Sequence, residues 1–375
     1  MLTIIFIISV MYLCLIGSLI YGFDKVEEFK LEDISAETKF SIIIPFRNES
    51  KNLDVLLKSI SDLNYPKSMF EIIFVDDDSD DDSIEKINAK PFRLNTIDIS
   101  VLNNVRRTAS PKKDAITTGI KHAKYEWVIT TDADCKLPKY WLDTFDNYLQ
   151  NHNVKLVAAP VTFEKTHSFF ERFQLLDILS LQGATIGGFG IKRPFLCNGA
   201  NLCYQKMLFE TLNGFNGNSD IASGDDIFLL EKAVKADKNS VHYIKSNQII
   251  VTTNPQTNFK ALMEQRIRWA AKTSSYGNII GKLTGFIVLL ANALLVSLPL
   301  LYFTQIITLK ALVYTVIIKL LIDFLLLFKT ARFFGQEQFL PSYLLSSLLY
   351  PFFCVYIVFI SVFKGYKWKD RAYKK

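Results

Sequence analysis

The sequence predicts an α/β protein with a parallel-type central sheet, flanked by transmembrane helices. Three observations carry this expectation. Apolar strand-like runs alternate with helical periods between residues 40 and 161, the pattern of a parallel sheet covered on both faces. Long uncharged runs occupy both ends of the chain, and mean hydropathy is +0.19, high for a soluble globule. Two of the strand-like runs end in aspartate clusters, and ligands of such sheets bind beyond the carboxyl ends of the strands. With 375 residues there is room for one domain and its membrane flanks.

Residues 2–20 carry no charge, and 19 residues of helix cross a hydrocarbon core of about 30 Å. A cleaved signal would need a basic start, yet the first basic residue is Lys25. Residues 1–23 therefore read as a retained anchor. FSIIIPF (40–46) is an apolar strand, and Leu53, Leu56, Leu57 and Ile60 mark a helix over 50–61. EIIFVDDD (71–78) is a second strand, followed by a helix at 82–88 and a strand around 94–102. A helix from Lys112 to Ala123, a strand over 126–135, a helix over 141–149 and a strand over 155–161 complete the series. HSFFERFQLLDILSL (167–181) is an apolar-faced helix that suits either the membrane interface plane or the core. Apolar runs then predict helices at 283–303, 309–328 and 341–363, with a basic tail over 364–375. Lys319 and Asp323 interrupt the second, at a spacing that lets them pair on one helix face.

Charge is divided unevenly. Residues 24–282 hold 33 Lys/Arg and 34 Asp/Glu, whereas 283–375 hold 10 and 3. The basic excess belongs to the membrane part, which removes the main support for nucleic-acid binding. The five cysteines are scattered, with no CxxC, so neither a zinc site nor a disulfide framework is expected. A transporter is disfavoured because most of the chain is one hydrophilic block. Lys329 and Arg332 favour a cytoplasmic loop. That places 24–282 in the cytoplasm but leaves the tail, with six basic residues, on the side the rule disfavours.

Five groups suggest chemistry. In VDDDSDD (75–81) one carboxylate, Asp76, is expected to point inward while the others cap the next helix or face solvent. Asp132 and Asp134 fall past a strand end, where alternation would place both on one side. Oxygen ligands of this kind suit Mg²⁺ or Mn²⁺ shared with substrate phosphates. Ser110-Pro111 opens a helix, and Lys112 and Lys113 in its first turn hint at a bound anion. Asp226, after Gly224 and Asp225, is a candidate general base. Arg268 beside Trp269 can join a diphosphate clamp to an aromatic sugar platform.

FSIIIPFRNE, VDDDSDD, SPKKDAITTGI, TTDADC, the GDD and QRIRW, in this order and spacing, resemble the processive-type family 2 glycosyltransferases of the GT-A fold. Cellulose, hyaluronan and poly-N-acetylglucosamine synthases belong there, with bacterial exopolysaccharide and lipid-linked sugar transferases. The resemblance covers residues 38–275 and implies a GT-A domain with interfacial helices. It implies that Pro45, Arg47 and Glu49 form the first nucleotide-binding loop, that Asp76 binds the base, and that Lys113 belongs to the nucleotide-sugar site. Asp132 would touch the nucleotide and Asp134 the metal, Mg²⁺ or Mn²⁺. Asp226 would be the base, with Asp225 in place of the more usual Glu. Asn198 and Gly199 resemble the acceptor-side loop, and Gln265, Arg268 and Trp269 fill the QxxRW signature.

The implied reaction is inverting transfer of a hexosyl or N-acetylhexosaminyl group. The donor would be a nucleotide-diphosphate sugar, in expectation UDP-linked, and the acceptor lipid-linked or a polysaccharide. It would take place at the cytoplasmic membrane on its cytoplasmic face, with membrane lipid as a partner. A non-catalytic sugar-nucleotide sensor or scaffold on the same fold is the alternative, and the intact Asp134, Asp226 and Arg268 argue against it.

Overall fold

The computed structural model describes the chain except residues 90–93, 95, 165, 220, 222, 274–276, 364, 369, 370, 374 and 375. The expected basic tail therefore lies partly outside the described residues. Helix α1 (Leu2–Lys25) precedes β1 (Phe40–Phe46), α2 (Ser50–Ser61), β2 (Phe70–Asp76) and α3 (Ser83–Asn88). Then come β3 (Asp98–Asn103), α4 (Pro111–His122), β4 (Trp127–Thr130), α5 (Trp141–Asn151), β5 (Leu156–Ala158) and β6 (Val161–Phe163). Next are α6 (Phe169–Gly190), β7 (Leu202–Gln205), α7 (Lys206–Thr211), α8 (Asp225–Asp237), β8 (Val241–Tyr243) and β9 (Val251–Thr253). The chain continues through α9 (Phe259–Thr273), α10 (Ile279–Phe303), α11 (Leu309–Phe333), α12 (Tyr343–Phe363), β10 (Tyr366–Trp368) and β11 (Arg371–Tyr373).

Two compact units emerge, one of residues 27–164 and 197–254, the other of 1–26, 165–196 and 255–375. The first is built on a seven-stranded sheet in the order β3-β2-β1-β4-β7-β5-β8. All neighbours run parallel except β7, which is antiparallel to both β4 and β5. Phe40 is level with Phe70 on one side and Trp127 on the other, so β1, β2 and β4 start together; β1 and β2 run on to Phe46 and Asp76, whereas β4 stops at Thr130, level with Ile43. Helix α2 covers them with Leu53, Leu56, Leu57 and Ile60, at the spacing read from the sequence. On α4, a Cβ added to Gly119 would stand 2.6 Å from Ile43, so only glycine admits this approach. Buried Asn201 ties the lower part together: it accepts from Trp141 Nε1 at 2.9 Å and donates to the carbonyls of Pro160 and Ile249.

Two strand expectations need correction. The run 126–135 is strand only over Trp127–Thr130, and its acidic end is a turn closed by Cys135 N donating to Asp132 O at 3.1 Å. The run 155–161 is two strands in different sheets, because Pro160 has no N–H to continue a ladder. β5 joins the large sheet, and β6 pairs parallel with β9.

Among the described residues, the second unit contains four helices long and apolar enough to cross a membrane, α1, α10, α11 and the stretch Glu337–Phe363 that ends in α12. This is the composition of an integral membrane protein. α1 runs two residues past the expected anchor, α10 starts at Ile279 rather than 283, and α11 ends at Phe333 rather than 328. Lys319 Nζ reaches Asp323 at 2.6 Å, and Tyr12 of α1 donates to the same carboxylate at 2.6 Å. The intramembrane charges thus have a partner each and a third group between helices.

Helix α6 differs from the expected one-faced amphipathic segment. A capping box of Ser168 and Glu171 starts it, but residues 173–188 are buried almost all round, against α1 and α11. Small residues allow this. A Cβ on Gly22 would meet Gly187 O at 2.1 Å, one on Gly190 would meet Gly22 O at 1.8 Å, and one on Gly183 would meet Thr330 Oγ1 at 2.4 Å. Close backbone approach of this kind is how apolar helices associate without a hydrophobic driving force. Gly187→Val is therefore expected to lower thermal stability in detergent by about 3 kcal/mol, the upper end for overpacking because the obstacle is backbone. Thermal unfolding against wild type checks this. A substitution at Gly17, whose Cβ would meet nothing within 4 Å, is the neutral control.

Candidate active site

The parallel register brings the carboxyl ends of β1, β2 and β4 to one edge. Pro45 is level with Val75, one residue before Phe46 and Asp76 close their strands. Asp76 is buried, and its carboxylate accepts from the backbone N–H groups of Asp78 and Ser79 at 3.2 Å. The neighbouring aspartates are less alike than the sequence suggests. Asp77 is also buried and accepts from Asn104 Nδ2 at 2.6 Å and Arg106 Nε at 2.8 Å. Arg47 donates to Asp77 O at 2.9 Å and reaches Asp78 at 3.4 Å. Asp81 accepts from the N–H groups of Ser83 and Ser50. Burial opposes its charge, but these hydrogen bonds outweigh that and hold its carboxyl below the usual aspartate value. Glu49 accepts from Asn52 at 2.6 Å, and its N–H donates to Ser83 Oγ. The cluster is a wired loop, with Asp77 and Arg106 as members that the sequence did not single out.

A second cluster forms around Lys112. Its Nζ lies 2.6 Å from Asp132 Oδ1 and 3.5 Å from Asp225 Oδ2. Burial works to lower the Lys112 pKa, but Asp132, Asp225 and Asp226 more than reverse that and hold the ammonium above the ordinary lysine value. Gly224 precedes α8 with φ +86°, a conformation that favours glycine, and it sets Asp225 and Asp226 in the first turn of the helix. Asp226 accepts from Gly199 N at 3.1 Å through one oxygen and from Ile227 N at 2.8 Å through the other. Thr130, the last residue of β4, donates to Gly199 O at 2.8 Å. A Cβ on Gly199 would stand 2.9 Å from Asp225 Oδ2, 3.4 Å from Asp226 and 3.7 Å from Lys112 Nζ. Asn198 closes the turn by accepting from Ala200 N. Asp132, Asp225, Asp226, Lys112 and Gly199 are thus brought together.

Asp134 sits two residues along the same turn as Asp132, and Cys135 Sγ lies 3.7 Å from its Oδ1. The turn, not strand alternation, sets the relation of the two carboxylates. Among the described residues no group of three or more His, Cys, Asp or Glu is placed to hold a metal ion. Two half-exposed carboxylates suit an ion that takes its remaining ligands from a bound diphosphate. Gln265, Arg268 and Trp269 lie on α9 in the other unit.

Comparison with known proteins identifies the family. Residues 41–209 match the glycosyl transferase family 2 model, and residues 127–362 match glycosyl transferase family group 2. The chain belongs to glycosyltransferase family 2. Its fold is GT-A-like. Glycosyltransferase AglE of Haloferax volcanii is 22% identical over 198 residues, 52% of this chain and 61% of that one. The poly-β-1,6-N-acetyl-D-glucosamine synthase of Staphylococcus epidermidis is 23% identical over 271 residues, 68% of this chain. The chain spans only 61% of the length of each. In fold it is similar to the mannosyltransferase PcManGT of Pyrobaculum calidifontis, solved with GDP-Man and Mn²⁺. The TM-score is 0.58 at 16% identity, covering 92% of this chain and 99% of that one.

Within this family 2 member the two adjacent lysines have parted. Lys113 was the one expected at the nucleotide sugar, but it is buried and donates to Asn218 O at 2.7 Å and Ile221 O at 2.8 Å. Its ammonium also lies 4.7 Å from the Phe228 ring centre. Successive residues of a helix point about 100° apart, and it is Lys112 that stands against Asp132 and Asp225. Lys113→Met leaves two buried carbonyls without their donor. It is expected to destabilise the protein by roughly 1–3 kcal/mol, read as a lowered melting temperature.

Proposed function

We propose that this glycosyltransferase moves a sugar, with inversion at the anomeric carbon, from a nucleotide-diphosphate sugar to a lipid-linked or polysaccharide acceptor. The observation that carries the reading is Lys112 held between Asp132 and Asp225, with Asp226 turned by Gly199 beside it. In this reading Asp226 takes the proton of an acceptor hydroxyl as its oxygen attacks the anomeric carbon. The bond from that carbon to the diphosphate breaks, and the electron pair leaves with the diphosphate. Lys112 takes the phosphate-facing role expected of Lys113 and steadies the departing charge. Asp134, with Asp132 at the nucleotide, would hold Mg²⁺ or Mn²⁺. When bound, the ion supplies Lewis-acid charge stabilisation to the leaving group.

Pro45, Arg47, Glu49 and Asp76 form the nucleotide side, UDP-linked in our reading, and Asn198 and Gly199 the acceptor side. Gln265, Arg268 and Trp269 serve the diphosphate and acceptor, an assignment that rests on the motif. The relatives named as acting on sugars, and the four apolar helices, support a membrane-associated acceptor. Asp226→Asn keeps the shape and loses the proton acceptor. Turnover should fall roughly 10²–10⁴-fold while donor affinity survives. Asp134→Asn, or chelation of wild type, should abolish transfer. Wild-type turnover in Asp226→Asn would remove Asp226 as the base, absence of turnover in the wild type would leave a binding scaffold as the better reading, and full activity after chelation would remove the metal.

The orientation proposal is that the sheet unit and the loop after α11 share the cytoplasmic side. Asp24 at the end of α1 contacts Lys329 near the end of α11 at 2.8 Å, which supports a common side for both ends. Lys329 and Arg332 supply the positive-inside signal. A single cysteine at exposed Asp82, in a cysteine-free background, is expected to resist an impermeant thiol reagent in intact cells and react after lysis. Labelling in unbroken cells would reverse the orientation.

A further inference from the structure

Helix α9 carries one more arginine inside the QxxRW signature, Arg266, which the motif leaves unassigned. It is only 5% exposed. Its Nε donates to Asp177 Oδ2 of α6 at 2.6 Å, and the Asp177 side chain is as deeply buried. Its Nη1 donates to Gln265 Oε1. Its guanidinium carbon lies 4.2 Å from the centre of the Trp269 ring, one helical turn along. A single planar group therefore touches two of the three signature residues and takes its own direction from another helix.

This is a poor device for stability alone. A buried ion pair offsets its desolvation only when its hydrogen bonds are complete. Arg266 Nη2 is buried with no hydrogen-bond partner among the described residues. Apolar residues of similar volume would pack α6 on α9 at least as well. They would not fix an amide and a ring plane, whereas the rigid fork of a guanidinium does both at once.

We propose that Arg266, aimed by Asp177, is a positioning residue for glycosyl transfer: it orients the Gln265 amide and the Trp269 ring. The inference rests on the reading that Gln265 and Trp269 serve the transfer. The test uses the full-length enzyme in detergent, with turnover and nucleoside-diphosphate affinity measured separately. Arg266→Lys keeps a charge for Asp177 but loses the planar fork. It should retain diphosphate affinity and melting temperature yet lose turnover by on the order of 10²-fold, the cost of a small misplacement. The double variant Arg266→Met/Asp177→Leu removes the pair without leaving a lone charge, and should fold and show the same loss. Neither loss should multiply with that of Trp269→Ala, because all act through one ring.

Multiplying losses, or wild-type turnover in Arg266→Lys, would overturn the positioning role. If the double variant does not fold, Arg266→Lys decides alone. If Trp269→Ala itself turns over like wild type, the assignment of the signature to the transfer falls first, and the positioning role with it.

Discussion

Negative charge crowded at the carboxyl edge of the sheet is the constraint on which the rest of this structure depends. Asp132, Asp225 and Asp226 all act on the same ammonium, that of Lys112. Two like charges about 4 Å apart cost about 4 kcal/mol at the effective dielectric of a protein site, so such a cluster needs a resident cation. Lys112 supplies it, and several local features follow. Pro111 begins α4 without wasting an N–H, which lets the lysine stand in the first turn. Gly224 turns the chain so that two carboxylates enter α8 at its positive end. Gly199 has no side chain because there is no space for one. The same charge balance agrees with the proposed chemistry, in which a diphosphate and a metal ion would bring both more anion and more cation to this edge.

Much of this was legible before any coordinates. The alternation of apolar strands and helices has a strong physical basis, and β1, β2 and α2 fall within a residue or two of expectation. The aspartates stood at strand ends, where a parallel sheet gathers ligands. What the sequence hid was relative rotation. It shows two lysines at 112 and 113 but not which faces inward, because eight of the twelve positions of α4 are buried and the apolar pattern does not break the tie. It shows three adjacent aspartates but not that the second is held by Arg106, since that bond joins the end of β2 to a loop 29 residues on. Proline did speak locally, yet the strand over 155–161 was drawn straight through Pro160. Arg266 was passed over because nothing in its own segment marks Asp177, 89 positions away, as its partner.

Helix α6 shows how far a membrane setting alters the rules of packing. An apolar stripe predicts a helix lying on a surface, whereas glycines at 183, 187 and 190 allow backbone contact with neighbours. The polar groups of this unit follow the same logic: Lys319, Asp323 and Tyr12 satisfy one another across α1 and α11. Neither feature is catalytic. Together they hold the apolar helices in one arrangement without help from water.

The family match adds a final step. The group model runs from residue 127 to 362, from β4 through the carboxylates of α8 and the signature on α9 into α12. The resemblance therefore includes the helices as well as the sheet. The sheet unit holds the acids, the lysine and the loop of Asp76, Asp77 and Arg47, none of which needs a membrane. The signature arginine and tryptophan stand on a helix six residues ahead of α10, itself apolar enough to cross one. A transferase acting on a fully soluble acceptor would gain nothing from that attachment. For an acceptor confined to the bilayer, the attachment limits the search to two dimensions and presents the signature at a fixed depth. Under the proposed reading of a lipid-linked acceptor, the membrane helices would take part in substrate recognition, and α9 with the helices that brace it would be where acceptor choice is made.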